Sequence, residues 1–268
     1  MKKIKKEKIF LRTPITYYGG KQQLCTTILS LIPEHTLYCE PFCGGAAVFF
    51  GKQKSKVEVL NDTNKELINF YKVVQNEFVS LEKEVRITLH SRSMHADAYA
   101  IYQNPHLFNE VKRAWALWVL ANQSHTSVLN NSWGYERIDN KLSLKTQNKK
   151  QAFTEELAIR LQNVQIESAD ACYVIQSRDY EEAFHYVDPP YVGSFQGHYD
   201  GYTEMDFDKL LSVLANVKGK FLLSSFPDKL LDKYVKENKW HTKQIEMNCS
   251  ASSGQKKKTE VLTANYPI

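Results

Sequence analysis

The run Leu37-Tyr38-Cys39-Glu40-Pro41-Phe42-Cys43-Gly44-Gly45-Ala46, followed by Val57-Glu58-Val59-Leu60-Asn61-Asp62, decides the class of fold. Leu37 to Glu40 is short, mostly apolar and closed by Pro41, which cannot donate to a strand ladder, so it reads as a buried strand. Gly44 and Gly45 then open a small-residue helix start, since glycine accepts the backbone angles of a tight strand-to-helix turn. Val57–Asn61 makes a second strand that stops at Asp62. Thr63-Asn64-Lys65-Glu66 fits a capping box, with a hydroxyl three residues ahead of a Glu at the head of an apolar-periodic helix. Strand, turn, helix, strand, helix is the rhythm of a βαβ unit with a parallel sheet.

Outward from that unit the rhythm breaks and then resumes. Between about Phe78 and Phe153 it is interrupted by His and Arg clusters, an aromatic helix around Trp115 and Trp118, and a polar stretch from Asn130 to Gln151. Trp115, Leu117 and Trp118 stand at helical spacing and are expected in a core. Strand candidates return at 164–168, 186–188, 221–225 and 240–247, separated by helical stretches at 206–216 and 227–238. The expected architecture is α/β, with 1–76 and 161–268 forming one domain and 77–160 inserted into it. No internal repeat of roughly 20–50 residues is present, which excludes a solenoid.

The 35 Lys and Arg against 30 Asp and Glu leave a net charge of +5, a mild excess that suits a polyanionic partner without requiring one. Cys25, Cys39, Cys43, Cys172 and Cys249 are odd in number, with no CxxC pair and no paired histidines to complete a zinc site. Reduced thiols and no metal are therefore expected. The Lys-rich start, Met1 to Lys8, is not followed by the apolar run of a secretory signal, and no stretch approaches the ~20 apolar residues of a membrane span. A soluble, cytoplasmic protein with no membrane partner is the expectation.

Asp188-Pro189-Pro190-Tyr191 follows directly on the apolar strand end Tyr186-Val187. An amino group conjugated to an adenine ring is a poor nucleophile because its lone pair is delocalised. A carboxylate at Asp188 and the carbonyl of Pro189 can accept its two hydrogens and localise that pair on nitrogen. Consecutive prolines restrict the backbone that carries the carbonyl, and Tyr191 offers a face for an extruded base. A plain turn containing Pro-Pro is the alternative. Upstream, Glu40 to Ala46 sits where open α/β sheets meet nucleotide-like ligands, and Asp62 stands where an acid holds ribose hydroxyls. Simple strand-to-helix packing and a favourable helix N-terminal charge are the alternatives for these two features.

Tyr17-Tyr18-Gly19-Gly20-Lys21, Glu40-Pro41-Phe42, Asn61-Asp62 and Asp188-Pro189-Pro190-Tyr191 stand in the order and spacing of the Dam-type (alpha-class) adenine-N6 DNA methyltransferases. The chain resembles that family from about Thr13 to Tyr266. The resemblance implies a Rossmann-like S-adenosylmethionine-dependent methyltransferase fold, with a mostly parallel seven-stranded sheet and a helical and hairpin target-recognition insertion. It implies cofactor contacts at Tyr17, Lys21 (near the methionyl carboxylate), Glu40, Phe42, Gly44, Asp62 (ribose), Asp170 (the cofactor's adenine amino group) and Asp188. Catalysis falls to Asp188, Pro189, Pro190 and Tyr191. The sequence departs from the family pattern at Ala46, where Gly is common, at Tyr17, where Trp is frequent, and at Ala171, where an aromatic usually follows the acid.

The family's target-recognition domain lies between the ribose acid and the catalytic loop, which is where the irregular segment falls. Arg137, Lys141, Lys145, Lys149 and Lys150 outnumber Glu136 and Asp139 there, so the stretch can meet phosphates. Trp133 to Leu142 reads as a hairpin turning at Asp139-Asn140, with Arg137 placed for a bidentate contact to guanine. Asn122, Gln123, Ser124, His125 and Asn130 add polar groups that could read base edges or fill the space of a flipped base; contact with water alone is the plainer role. Gln255-Lys256-Lys257-Lys258 reads as a solvated loop past which DNA could run. The expected activity is methyl transfer from S-adenosylmethionine to adenine N6 in duplex DNA, with a companion restriction enzyme a possible partner. The rivals are an RNA adenine acceptor and an inactive DNA-binding relative. Protein-glutamine enzymes are disfavoured because they carry Asn where Asp188 stands.

Overall fold

The computed structural model describes residues 11–194, 196–197, 199, 201–248 and 257–268. The N-terminal lysines, Cys249 and the Gln255-Lys256 pair fall outside the described residues. The chain divides into two compact units, each drawn from three separate segments: 1–30, 44–54 and 62–168 in the first, 31–43, 55–61 and 169–268 in the second.

Among the described residues seven strands are formed: β1 (Leu37–Glu40), β2 (Val57–Asn61), β3 (Gln165–Glu167), β4 (Ala183–Val187), β5 (Lys220–Ser225), β6 (His241–Asn248) and β7 (Lys257–Ala264), in the sheet order β3-β2-β1-β4-β5-β7-β6. β1 pairs in parallel with both β2 and β4, and β4 with β5. β7 runs antiparallel between β5 and β6. Every residue of β1 and of β4 is buried, as strands covered on both faces require, which explains their continuous apolar runs. The strand order reverses between β1, which ends at Glu40, and β4, which ends at Val187. Open α/β sheets bind ligands at such a point.

In the second unit Phe207, Leu210, Leu211, Leu214, Phe221, Leu223 and Trp240 form a buried cluster. The helix Glu204–Leu214 supplies four of these residues and begins with a complete capping box, Thr203 and Asp206 each accepting from the other's backbone N–H. The first unit is helical. Its centre is the helix Glu110–Gln123, buried without interruption from Ala114 to Gln123, so Trp115, Leu117 and Trp118 lie in the core as their spacing predicts. The Trp115 indole donates to Thr88 Oγ1 at 2.8 Å. Phe78 stacks on Phe153 with ring centroids 5.4 Å apart.

Two local expectations are corrected. The helix Lys65–Asn76 is capped by Asn64 and not by Thr63: the Asn64 side-chain oxygen accepts from the N–H groups of Glu66 and Leu67, an Asx arrangement that suits the position as well as a hydroxyl. The hairpin at 133–142 does not form either. Pairing is limited to one antiparallel bridge, Ser124 to Trp133, and from Lys141 to Gln151 the chain is a helix. Its residues are mostly straight-chain helix formers with no aromatic or β-branched alternation. The Glu136 carboxylate satisfies one of the first free N–H groups, accepting from Leu142 at 2.9 Å. Among the described residues no helix is long and apolar enough to cross a membrane.

Candidate active site

In the second unit the residues singled out in the sequence lie mainly at the carboxyl ends of β1 and β4. Glu40 ends β1 buried, and its carboxylate accepts from the Tyr38 hydroxyl at 2.6 Å. Burial and that neighbouring charge push the Tyr38 phenol well above its usual range, so it stays a donor. Phe42 is half-buried, edge-on to Tyr202 with centroids 6.4 Å apart. The Asn61 side chain, wholly inaccessible, ties two loops together: its amide donates to the Pro41 carbonyl at 2.9 Å and the Ala169 carbonyl at 3.1 Å, and its oxygen accepts from Ala169 N–H at 2.9 Å. Sequence reasoning placed Asn61 at the end of a strand and in the Asn61-Asp62 motif, and gave its side chain no role. Asp170, next in line, caps the helix Ala171–Ser177 by accepting from Tyr173 N–H, and its other oxygen lies 3.5 Å from Lys209 Nζ. That carboxylate is more than half exposed.

Asp188 follows β4, partly buried, with Pro189 fully so. The Tyr191 hydroxyl lies 3.1 Å from an Asp188 oxygen and 2.5 Å from a Glu260 oxygen, so one phenol serves two carboxylates. Burial first, then those two charges, raises the Tyr191 phenol well above its ordinary value. It is therefore neutral at any physiological pH. Glu260 is buried on β7, and Tyr191 packs edge-on against Phe226 at 4.5 Å. The resemblance took in the closing stretch that holds Glu260 but gave this residue no role, because only the placement of β7 beside β5 brings it to Tyr191. A shallow recess fronting about 290 Å³ of open space is lined by Pro189, Pro190, Tyr191, Ser225, Phe226 and Asp228, among others. The Ser225 hydroxyl there is buried and has no hydrogen-bond partner among the described residues.

In the first unit, Tyr17 to Gly20 make a turn closed by Gly20 N–H on the Tyr17 carbonyl at 3.1 Å, with Gly19 at φ +75° as a type II turn requires. Lys21 reaches back to the Gly19 carbonyl at 2.9 Å. Tyr17 is buried against the glycine pair: a Cβ on Gly44 would stand 3.3 Å from its ring, and Gly44 holds φ +45°. Asp62, also buried, accepts from Gly44 N–H at 3.0 Å with one oxygen and from Asn64 N–H at 2.9 Å with the other. Asn64 in turn donates to the Tyr17 hydroxyl at 3.2 Å. Ala46 sits in the left-handed region at φ 50°, which accounts for the glycine common there in the resembled family. Of the polar residues expected to meet DNA, Asn130, Arg137 and Lys141 are exposed, and Lys141 pairs with Asp139. Asn122 and Ser124 are buried; the Asn122 oxygen accepts from Thr16 N–H at 3.1 Å, and Ser124 pairs with His95 at 2.8 Å. Among the described residues no cluster of three or more His, Cys, Asp or Glu is placed to hold a metal ion.

A family model described as D12 class N6 adenine-specific DNA methyltransferase matches residues 17–248, a span that contains Tyr17 to Lys21, Glu40 to Gly44, Asp62 and Asp188 to Tyr191. The chain belongs to this family. It transfers a methyl group to adenine N6 in DNA at specific sites. This D12 methyltransferase is 28% identical to Type II methyltransferase M1.LlaDCHI of Lactococcus lactis subsp. cremoris, over 99% of each chain. It is 29% identical to Type II methyltransferase M.MjaIII of Methanocaldococcus jannaschii over 72% of its own length and 74% of that protein's. With Type II methyltransferase M.FokI of Planomicrobium okeanokoites it shares 25% over 96% of its length, matching 43% of that longer chain.

Proposed function

We propose that the D12 methyltransferase acts on an adenine swung out of duplex DNA, with S-adenosylmethionine as methyl donor. The observation that carries this reading is the Asp188–Tyr191–Glu260 cluster at the carboxyl end of β4, where a neutral phenol lies between the two carboxylates and, with Pro189 and Pro190, lines a recess. There the Asp188 carboxylate and the Pro189 carbonyl accept the two amino hydrogens of the adenine and localise its lone pair on N6. The face of Tyr191 supports the ring. The proton that N6 sheds after transfer passes to the Asp188 carboxylate and on to water.

The residues present fit the cofactor. Glycine at position 44 keeps the strand-to-helix turn open where a Cβ would press on Tyr17. Asp62 presents a buried carboxylate beside the Gly44 turn, and carboxylate oxygens accept hydroxyl protons such as those of a ribose. S-adenosylmethionine supplies a methyl group on cationic sulfur. Lys21 is assigned to its carboxylate, Asp62 to its ribose, Asp170 to its adenine amino group, and Tyr17, Glu40, Phe42 and Gly44 to the walls around it.

Residues 77–160 are assigned to target recognition, with Arg137, Lys141 and Asn130 as the exposed contacts to DNA; the buried Asn122 and Ser124 serve that surface from beneath. Relatives named Type II methyltransferases support a companion restriction enzyme, and a DNA substrate with four buried cysteines outside any disulfide among the described residues supports work in the cytoplasm. The test is transfer of labelled methyl from S-adenosylmethionine to duplex DNA, single strands and RNA, with Asp188→Ala beside the wild type, followed by nucleoside analysis. N6-methyladenine from duplex DNA with the wild type alone is the expected result. Preferential labelling of RNA, or full activity of Asp188→Ala, refutes the reading.

A further inference from the structure

On the helix Lys141–Gln151, Lys141, Lys145 and Lys149 recur every four residues, which places them on one face and spreads them over ~12 Å of helix axis. Lys149 lies at the inner end of this row. Its ammonium donates to the carbonyl of Thr13 at 2.6 Å, which brings the neighbouring Arg12 to the same end. Among the described residues neither Arg12 nor Lys145 has an ion-pair or hydrogen-bond partner, and Lys149 has only that carbonyl. Two of its three donors remain unused. Lys141 alone in the row meets an acid, Asp139.

We propose that Arg12, Lys145 and Lys149 form a binding site for consecutive backbone phosphates of the DNA substrate, with Lys141 continuing the row. A linear row of cations suits a phosphodiester strand better than one small anion. The inference rests on the reading of 77–160 as the DNA-facing part. Uncompensated positive charge at a half-buried place is otherwise unfavourable, and a phosphate relieves it. The charge state of Lys149 carries the same message. Burial first, then Lys145 and Arg12, lower its ammonium to about 7, and among the described residues these two cations are the charged groups that act on it. An arriving phosphate reverses that balance, so DNA binding near neutral pH takes up a proton at Lys149. His90 also touches this helix, through Thr146, but at 3.4 Å and on a different residue of the helix.

The test is affinity for an unmodified duplex as a function of salt and pH, measured by fluorescence anisotropy. Lys145→Gln, which breaks no hydrogen bond, and Lys149→Gln are each expected to lower the slope of log affinity against log salt by about 1. Lys149→Arg, permanently charged, should keep the slope and lose the fall in affinity between about pH 6 and 8. Lys83→Gln, an exposed lysine of the helix Phe78–Ile87, should leave the slope unaltered. An unchanged slope in both glutamine variants, an equal loss in Lys83→Gln, or an intact pH dependence in Lys149→Arg overturns the proposal. Wild type that methylates duplex DNA while the variants behave in this way refutes the phosphate row alone; wild type that does not bind duplex refutes the row and the DNA-facing reading together.

Discussion

Replacing Asn61 by alanine removes three hydrogen bonds at once and tests whether this amide, more than apolar packing, locks the loops after β1 and before Asp170. The side chain is inaccessible and its partners are main-chain groups of Pro41 and Ala169. At about 1 kcal/mol net for each bond the loss starts near 3 kcal/mol, and main-chain groups left without partners in a dry interior raise it towards about 5. For a chain of this size that lowers the melting temperature by about 10 °C. Circular dichroism during thermal and urea unfolding gives both numbers. Asn61→Asp should be no better at neutral pH, because it turns an acceptor towards two carbonyl oxygens, and should recover partly in acid when the carboxyl becomes a donor. A loss below about 1 kcal/mol in Asn61→Ala would show that water or the backbone replaces the amide and would refute the argument.

Tyr191→Phe keeps the stacking face but deprives Asp188 and Glu260 of their shared donor; kcat/KM for duplex methylation should fall at least about tenfold, and a loss under twofold counts against the role given to the phenol. His185 is fully buried, with neither ring nitrogen hydrogen-bonded among the described residues and burial lowering its imidazole to about 4. Between about pH 6.5 and 4 the unfolded chain takes up a proton that the folded one refuses, so stability falls as pH drops through that window. Urea unfolding at pH 7.5 and 5 should show His185→Phe losing about 2 kcal/mol less than wild type, and parallel losses would contradict the buried neutral ring. Gly44→Ala forces a side chain into the left-handed region beside Tyr17 and should cost about 1–2 kcal/mol. The check is a thermal shift with and without S-adenosylmethionine, in which the cofactor-induced stabilisation should also shrink.

The parallel strands and the glycine turn were legible because a strand buried on both faces must be apolar along its whole length, and because Gly44 answers a backbone need. Asp188 to Tyr191 stands out in the sequence because the proposed chemistry calls for those groups one after another. Glu260 does not, since 69 positions separate it from Tyr191 and only the insertion of β7 between β5 and β6 closes the gap. The first residues of the helix at 141–151 were taken for the end of a hairpin at 133–142 because Asp-Asn suits a turn equally well, and the deciding contact, Glu136 to Leu142 N–H, is a side-chain bond that no periodicity records. Asn122 and Ser124 looked like loop residues, yet Asn122 belongs to a helix whose polar end is buried and satisfied internally.

The pairing of Leu37 with Ala183 in the β1–β4 ladder also sets a timetable for biosynthesis. While the ribosome is still adding the intervening residues, β1 and β2 exist without the central strand that covers their open edge. A parallel two-stranded ribbon is marginal in water, and an uncovered apolar edge invites pairing with another nascent chain. The helical first unit, whose last segment closes at residue 168, can be fully synthesised before β4 emerges. Chains that stall before Ala183 should therefore hold helix and aggregate through β1, and a chaperone that shields extended apolar segments should raise the yield of this enzyme more than one that acts after release.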